Sequence, residues 1–184
     1  CARRLWELDP FTEVELWPGE LSPADAGRFV AGLDVVIDAC DSFPVKATLR
    51  AAAKAAGVPL IMETSFRGTL DLEDYRADPD YPPFHGALED APPPQGPEGR
   101  VAFFERLLGP LTPRVAQTLR GLGETYVSYP QTASDVMLGG ASVARLVRAL
   151  VLGEPVSSGR RRVDLDAALA GQPEGGSWPT GGGS

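Results

Sequence analysis

Asp38 and Asp41 close an apolar run, Val35-Val36-Ile37, and a helical pattern follows at once. In a parallel α/β sheet, ligands sit outside the carboxyl ends of the strands. Two acids placed there repel each other unless a cation or hydrogen-bond donors compensate. One of them could bind Mg²⁺, which takes oxygen ligands and needs only one or two carboxylates beside substrate phosphates, or could accept a hydrogen bond from a nucleotide. The alternative is that Asp41 or Ser42 merely caps the helix. Lys46, one turn into that helix, suits a phosphate as a point charge. Its spacing with Arg50 and Lys54 equally describes a solvated basic stripe, with members four positions apart.

Other polar residues carry weaker signals. Thr64-Ser65-Phe66-Arg67 follows the next strand pattern, so Arg67 could share a crevice with Asp41, or be a plain surface residue. His85 is the sole histidine and has no companion cysteine or carboxylate spacing, which favours a loop hydrogen bond over a metal or triad role. Ser134-Asp135 reads first as a capping pair and second as a substrate contact. Cys40, inside the Asp38–Asp41 segment, reads as a buried, inert thiol. No residue stands out as catalytic.

The elements that must position these residues follow from periodicity and punctuation. Ala2–Leu8 reads as the last turns of a helix, stopped by Asp9-Pro10. Thr12–Trp17 alternates Val14 and Leu16 with Glu13 and Glu15, the period of a half-exposed strand. Ser22-Pro23 is a cap followed by proline at the first helical position, opening a helix to about Gly32. Asp34–Ala39 is a buried strand, Phe43–Ala56 a helix ended by Gly57, and Val58–Met62 a second buried strand. This alternation with short loops predicts a parallel sheet with crossover helices.

Beyond Ser65 the pattern weakens. Asp71–Asp80 is acidic, with Leu70 and Leu72 as apolar anchors, and Ala87–Gly99 is loop-rich and irregular. Arg100–Leu108 and Thr112–Leu122 read as short helices, and Ala133–Leu152 as a long helix with an apolar stripe. Arg161–Leu165 is a plausible edge strand. Gly171–Ser184 is a Gly/Pro/Ser-rich linker or tail. The expected fold is α/β: a Rossmann-like, mostly parallel sheet with flanking helices over residues 1–170, an irregular loop region and a long C-terminal helix.

Bulk properties narrow the function classes. The 184-residue chain has a formal net charge of -8, which disfavours non-specific nucleic-acid binding, since that needs a cationic surface. No apolar run reaches the ~20 residues needed to cross a bilayer, and no signal-peptide pattern is visible at the start. Two cysteines form neither a zinc spacing nor a disulfide framework, which suits a reducing cytoplasm. There is no G-x-G-x-x-G and no G-x-x-x-x-G-K-[ST], so the strand-end acids lack a phosphate-binding glycine loop within this sequence.

These segments resemble the ThiF/MoeB/ubiquitin-activating-enzyme superfamily. Ala2-Arg-Arg-Leu-Trp-Glu-Leu-Asp-Pro10 is similar to its helix ending in "LNP", Asp34-Val-Val-Ile-Asp-Ala-Cys-Asp41 to its "DVVVDATDN" segment, and Gly57-Val-Pro-Leu-Ile61 to its "GIPLI" strand. The likeness covers Ala2 to about Met62 and returns over Pro130–Asp164. It implies ATP and Mg²⁺ as cofactors and adenylation of the C-terminal carboxylate of a ubiquitin-like or sulfur-carrier protein, with cytoplasmic location and homodimerisation as further expectations. Asp41 matches the family's Mg-ATP aspartate. Lys46 matches a position that faces the nucleotide and is often arginine. Asp38 and Arg67 complete the set expected at the nucleotide.

Ser42 stands where the family usually has Asn, and the family's glycine loop and catalytic lysine precede the matched segment. The resemblance therefore implies part of an adenylyltransferase, inactive as this chain alone. The alternatives are a non-catalytic scaffold of the same fold, alone or joined to a nitroreductase-like module, an interaction module of a flavin enzyme, and a nicotinamide-dependent oxidoreductase. The missing dinucleotide fingerprint argues against the last.

Overall fold

Seven helices and four strands make up the described part of the computed structural model, which covers residues 2–17, 19, 21–89 and 94–171. In order these are α1 (Ala2–Leu8), α2 (Pro23–Val30), β1 (Val36–Asp38), α3 (Phe43–Ala56), β2 (Leu60–Thr64), β3 (Thr69–Glu73), α4 (Gly96–Leu108), α5 (Pro113–Arg120), α6 (Ala133–Val151), β4 (Gly159–Arg162) and α7 (Leu165–Ala170). A short 3-10 turn at Pro83–Gly86 lies between β3 and α4. The expected tail after Gly171 lies outside the described residues. No helix among the described residues is long and apolar enough to cross a membrane.

The α/β class holds, but the sheet is not mostly parallel. Its order is β1-β2-β3-β4, with β1 and β2 parallel and the β2–β3 and β3–β4 pairs antiparallel. A parallel neighbour needs a crossover of a dozen or more residues. Only Ser65–Gly68 joins β2 to β3, so the chain must fold back on itself. Arg67 and Gly68 take positive φ, 55° each, to make that turn. Gly68 cannot be replaced without movement: a Cβ there would lie 2.1 Å from the Val163 carbonyl oxygen.

Two other expectations change. Thr12–Trp17 is not a strand. A strand needs a neighbour for its backbone groups, and no described strand lies beside this segment, so Phe11 and Leu16 stay exposed. Its anchor is Trp17, edge-on to Phe29 at 5.6 Å with the Arg28 guanidinium 4.5 Å from its ring. Conversely β3 falls in the stretch whose pattern was weakest. There Thr69, Asp71 and Glu73 alternate with Leu70 and Leu72, and all five are buried.

The strand pairing sorts the two faces. Val36, Leu60 and Met62 pack with Leu49 and Ala53 of α3 and Val30 of α2. Ile61, Leu70 and Leu72 pack with Leu146 on the opposite face, flanked by Val143, Val147 and Leu150 of α6. Since Met62 pairs with both Asp38 and Asp71, and Leu60 pairs with Val36 and Glu73, all three acids lie on the α3 face. A second apolar body joins α4 and α5 to the Pro83–Gly86 turn and the β2–β3 turn through Phe84, Phe103, Phe66 and Leu119.

Candidate functional site at the end of the parallel strands

The carboxyl ends of β1 and β2 present two very different acids. Asp38 is 1% exposed and fully engaged. Its Oδ2 accepts from Arg50 Nη1 at 2.7 Å, and its Oδ1 accepts from Lys46 Nζ at 2.9 Å, the Cys40 thiol at 3.0 Å and the Cys40 amide at 3.3 Å. Burial alone would push its carboxyl up, but Lys46 and Arg50 outweigh that and hold it below the usual carboxylate range. Asp38 is therefore an ionised structural anchor with both oxygens committed.

Asp41, three positions on, is exposed, and no hydrogen bond or ion pair reaches its carboxylate among the described residues. Neither acid caps α3. Ser42 holds the N-cap position, and its side chain makes no cap bond. On the α3 face of the adjacent strand end, the Thr64 hydroxyl oxygen is buried without a hydrogen-bond partner among the described residues. An open carboxylate and an unpartnered hydroxyl at neighbouring parallel strand ends are oxygen donors that suit a hard cation or a nucleotide. Among the described residues, no group of three or more His, Cys, Asp or Glu side chains could hold a metal ion without other ligands.

Lys46 is 16% exposed, with its ammonium turned onto Asp38, so it is not a solvated stripe member. Arg50 is more deeply placed still. Its guanidinium is fully buried, bonded to Asp38 and, through Nε, to Glu73 Oε1 at 2.9 Å, and it stacks 3.8 Å from the Phe84 ring centroid. Glu73 also accepts from the Phe84 amide at 3.2 Å and from the Tyr75 hydroxyl. Burial and the Glu73 charge push the Tyr75 phenol far up, so it serves as a donor. Lys54 donates to the Tyr81 carbonyl at 3.0 Å.

Arg67 goes elsewhere. Its Nε bonds Asp164 Oδ2 at 2.7 Å, and it lines a cleft of about 400 Å³ with Ser65, Arg114, Tyr129 and Gln131, whose walls do not include Asp41. His85 makes the expected loop hydrogen bond, Nδ1 to the Tyr81 hydroxyl at 2.9 Å, and its Nε2 lies 3.2 Å from Asp71. Asp71 is held low against its burial by a two-pronged contact from Arg160 and by His85. At α6 the cap is Thr132, which accepts from the Asp135 amide at 3.3 Å, so Asp135 is a capping partner as expected while Ser134 is secondary. Cys40 is half-buried rather than buried, and burial, then Asp38, push its thiol up to about 11, which disfavours the thiolate.

Sequence reasoning missed Arg50, Glu73, Tyr75 and the Asp71–Arg160 pair. The available signal was the Thr69-x-Asp71-x-Glu73 alternation around Leu70 and Leu72, which has the strand period with a polar inner face.

No family model matches the chain. The uncharacterized protein MT1398 of Mycobacterium tuberculosis is 43% identical over 175 residues, covering 92% of this chain and 24% of that protein. The sulfur carrier protein adenylyltransferase of Thermus thermophilus is 31% identical over 101 residues, 51% of this chain and 36% of that protein. The chain thus spans about a quarter to about a third of the length of the curated relatives it matches. Over half its own length it is similar to a sulfur carrier protein adenylyltransferase, a partial likeness that points towards ThiF-like proteins.

Proposed function

We propose that this chain supplies the strand-end acid wall of an ATP-dependent adenylyltransferase that activates the C-terminal carboxylate of a sulfur-carrier or ubiquitin-like protein. The observation that carries the reading is Asp41: an exposed carboxylate three residues beyond parallel strand β1, without a hydrogen-bond or ion-pair partner among the described residues, while Lys46 is held on Asp38 at that strand's end. In such a reaction a carboxylate oxygen attacks the α-phosphorus of ATP and pyrophosphate departs. Catalysis is then mainly positioning and offsetting of negative charge.

Mg²⁺, when bound, would neutralise charge on the phosphates. Asp41 would hold it with a single carboxylate, the remaining ligands being water and phosphate oxygens. Lys46 would meet a phosphate as a point charge. Asp38 would not touch the nucleotide, because its oxygens are already occupied. Arg67, set in the separate cleft with Asp164, would face the carboxylate-bearing partner rather than the phosphates. The phosphate cradle of backbone N–H groups would come from outside this sequence.

The test is pyrophosphate–ATP exchange with a sulfur-carrier protein, using the chain alone and the chain with the flanking sequence its gene encodes. Exchange that requires the flanking sequence and Mg²⁺, and collapses in Asp41→Ala, is the expected result. Exchange or Mg-ATP binding that is indifferent to Asp41→Ala would overturn the assignment.

A further inference from the structure

Four charged groups run in an unbroken line through the α3 face: Glu73 on β3, Arg50 on α3, Asp38 on β1 and Lys46 on α3. The links are 2.9 Å, 2.7 Å and 2.9 Å. From this geometry we infer that Arg50 is a positioning residue, which by bridging Glu73 and Asp38 fixes the Lys46 ammonium at the carboxyl end of β1. The inference rests on the nucleotide reading above for the use Lys46 is put to, and on the structure alone for the relay.

Each link is held in place from outside the line. Glu73 is backed by the Tyr75 hydroxyl and the Phe84 amide. Arg50 lies between the Phe84 ring and the Met62 sulfur, 3.3 Å from Nη2, and its Nη1 also donates to the Lys46 carbonyl at 3.2 Å. The guanidinium fork is planar and rigid, so filling its directions fixes the two acids relative to each other. Phe84 and His85 adopt φ of 52° and 57°, a left-handed conformation that non-glycine residues hold only when their surroundings over-determine it. That turn brings the Phe84 amide to Glu73 and its ring to Arg50.

The line contains two acids and two bases, so it is charge-balanced only when complete. Glu73, Arg50 and Asp38 have side chains with no solvent exposure, and Lys46 alone reaches the surface. A lysine stem is otherwise free to sample many rotamers. Here Asp38 presets one of them, and Asp38 is in turn set by Arg50. An anion arriving at the strand end would meet an ammonium already ordered, which lowers the cost of binding it.

The chain has two lysines, Lys46 and Lys54, so amine acylation by an N-hydroxysuccinimide ester, read by mass spectrometry, reports both at once. Glu73→Gln and Tyr75→Phe weaken the line with little change of volume, and Arg50→Lys breaks its two-ended bridge while keeping charge, the amine it adds being read as a separate acylation site. Near-UV circular dichroism identifies the variants that remain folded. Loss of one charge-assisted hydrogen bond should raise the Lys46 rate by about tenfold, in the order Arg50→Lys, Glu73→Gln, Tyr75→Phe, with Lys54 unchanged. Folded variants that label Lys46 at the wild-type rate, or that speed Lys54 equally, overturn the relay. Mg-ATP should protect Lys46 in the chain with its encoded flanking sequence. Absence of protection there, with the variant effect intact, refutes the nucleotide reading and leaves the relay standing.

Discussion

On the α6 face of the sheet, Ile61, Leu70 and Leu72 meet Leu146 and a fringe of valines. On the α3 face the same strands set Asp71 and Glu73 beside Met62, and Arg50, Arg160 and His85 close over them. One strand, β3, feeds both faces through its alternation. The apolar face follows non-directional burial, where each buried Leu or Ile contributes roughly 1.5–3 kcal/mol and neighbours can repack. The polar face has no such latitude. Its charges are stable only as a complete set, because a buried ion left alone keeps its full desolvation cost. What the charged face gains for that rigidity is defined geometry at the end of β1, where Lys46 emerges.

The sharpest way to break this comparison is Arg50→Ala. It leaves Asp38 and Glu73 buried near each other without the cation that joins them. Removing one partner of a buried ionic set costs about 3–5 kcal/mol, so urea denaturation should show a loss of that order. A change below about 1 kcal/mol, the general range of solvent-exposed ion pairs, would mean that water reaches the network and the two faces do not differ in kind.

The two faces should also differ in their response to acid. Asp38 and Asp71 both have carboxyls held below their ordinary range, burial working against this and their cationic partners prevailing. Groups depressed in the folded state contribute stability that is fully present above their unfolded value, near pH 4, and is lost as pH falls through the folded value. Stability should therefore decline below about pH 4, and Asp38→Asn should flatten the decline. The opposite ionisation lies across the sheet: burial, aided by Asp135, pushes the Glu63 carboxyl up. Glu63→Gln should then be neutral or stabilising at pH 7, and that advantage should fade as pH falls through the raised folded value, where the wild-type carboxyl protonates. An acid limb unchanged by Asp38→Asn would show that its ion pairs are not differentially formed in the native state.

How much of this was visible in the residues depends on the kind of interaction. Helices α2, α3 and α6 were legible because Ser22-Pro23, Gly57 and the apolar stripe of Ala133–Leu152 are local signals, and the structure reproduces α3 at Phe43–Ala56. Asp38 and Asp41 stand out together in the sequence, but nothing local separates the buried, paired acid from the exposed one. That separation depends on Arg50, whose spacing with Lys46 and Lys54 matches a solvated stripe equally well. Nothing local says that Phe84 will lie under that guanidinium or that Glu73 will meet it. Likewise Thr12–Trp17 has a strand's alternation, yet alternation cannot supply the neighbour a strand requires. The antiparallel turn at Ser65–Gly68 was hidden because Arg67, not a glycine, takes its first left-handed position.

On the α6 face, smaller and graded effects are expected. Ile61 is fully buried among Leu70, Leu72 and Leu146, and Ile61→Val removes one methylene from a site whose neighbours can relax. The cost should be about 0.5–1.5 kcal/mol in urea denaturation. A loss as large as that of Arg50→Ala would show that this face is as intolerant as the charged one.

The smallest effect separates two adjacent glycines of α6. Glycine in a helix interior costs about 0.8–1.0 kcal/mol relative to alanine. A Cβ on Gly140 would meet nothing within 4 Å, so Gly140→Ala should stabilise by up to that amount. A Cβ on Gly139 would lie 2.3–2.5 Å from the Glu63 carboxyl group, which must then swing aside. Glu63 is already disfavoured there as an anion, and its Oε1 is buried without a hydrogen-bond partner. Gly139→Ala should therefore cancel much of the propensity gain in the wild type and recover it in a Glu63→Ala background. The difference in midpoint between the two alanine variants, measured with and without Glu63, isolates that contact. Equal stabilisation by both substitutions would show that Glu63 does not rest against α6 at all, and that the polar intrusion into the apolar face ends at the sheet.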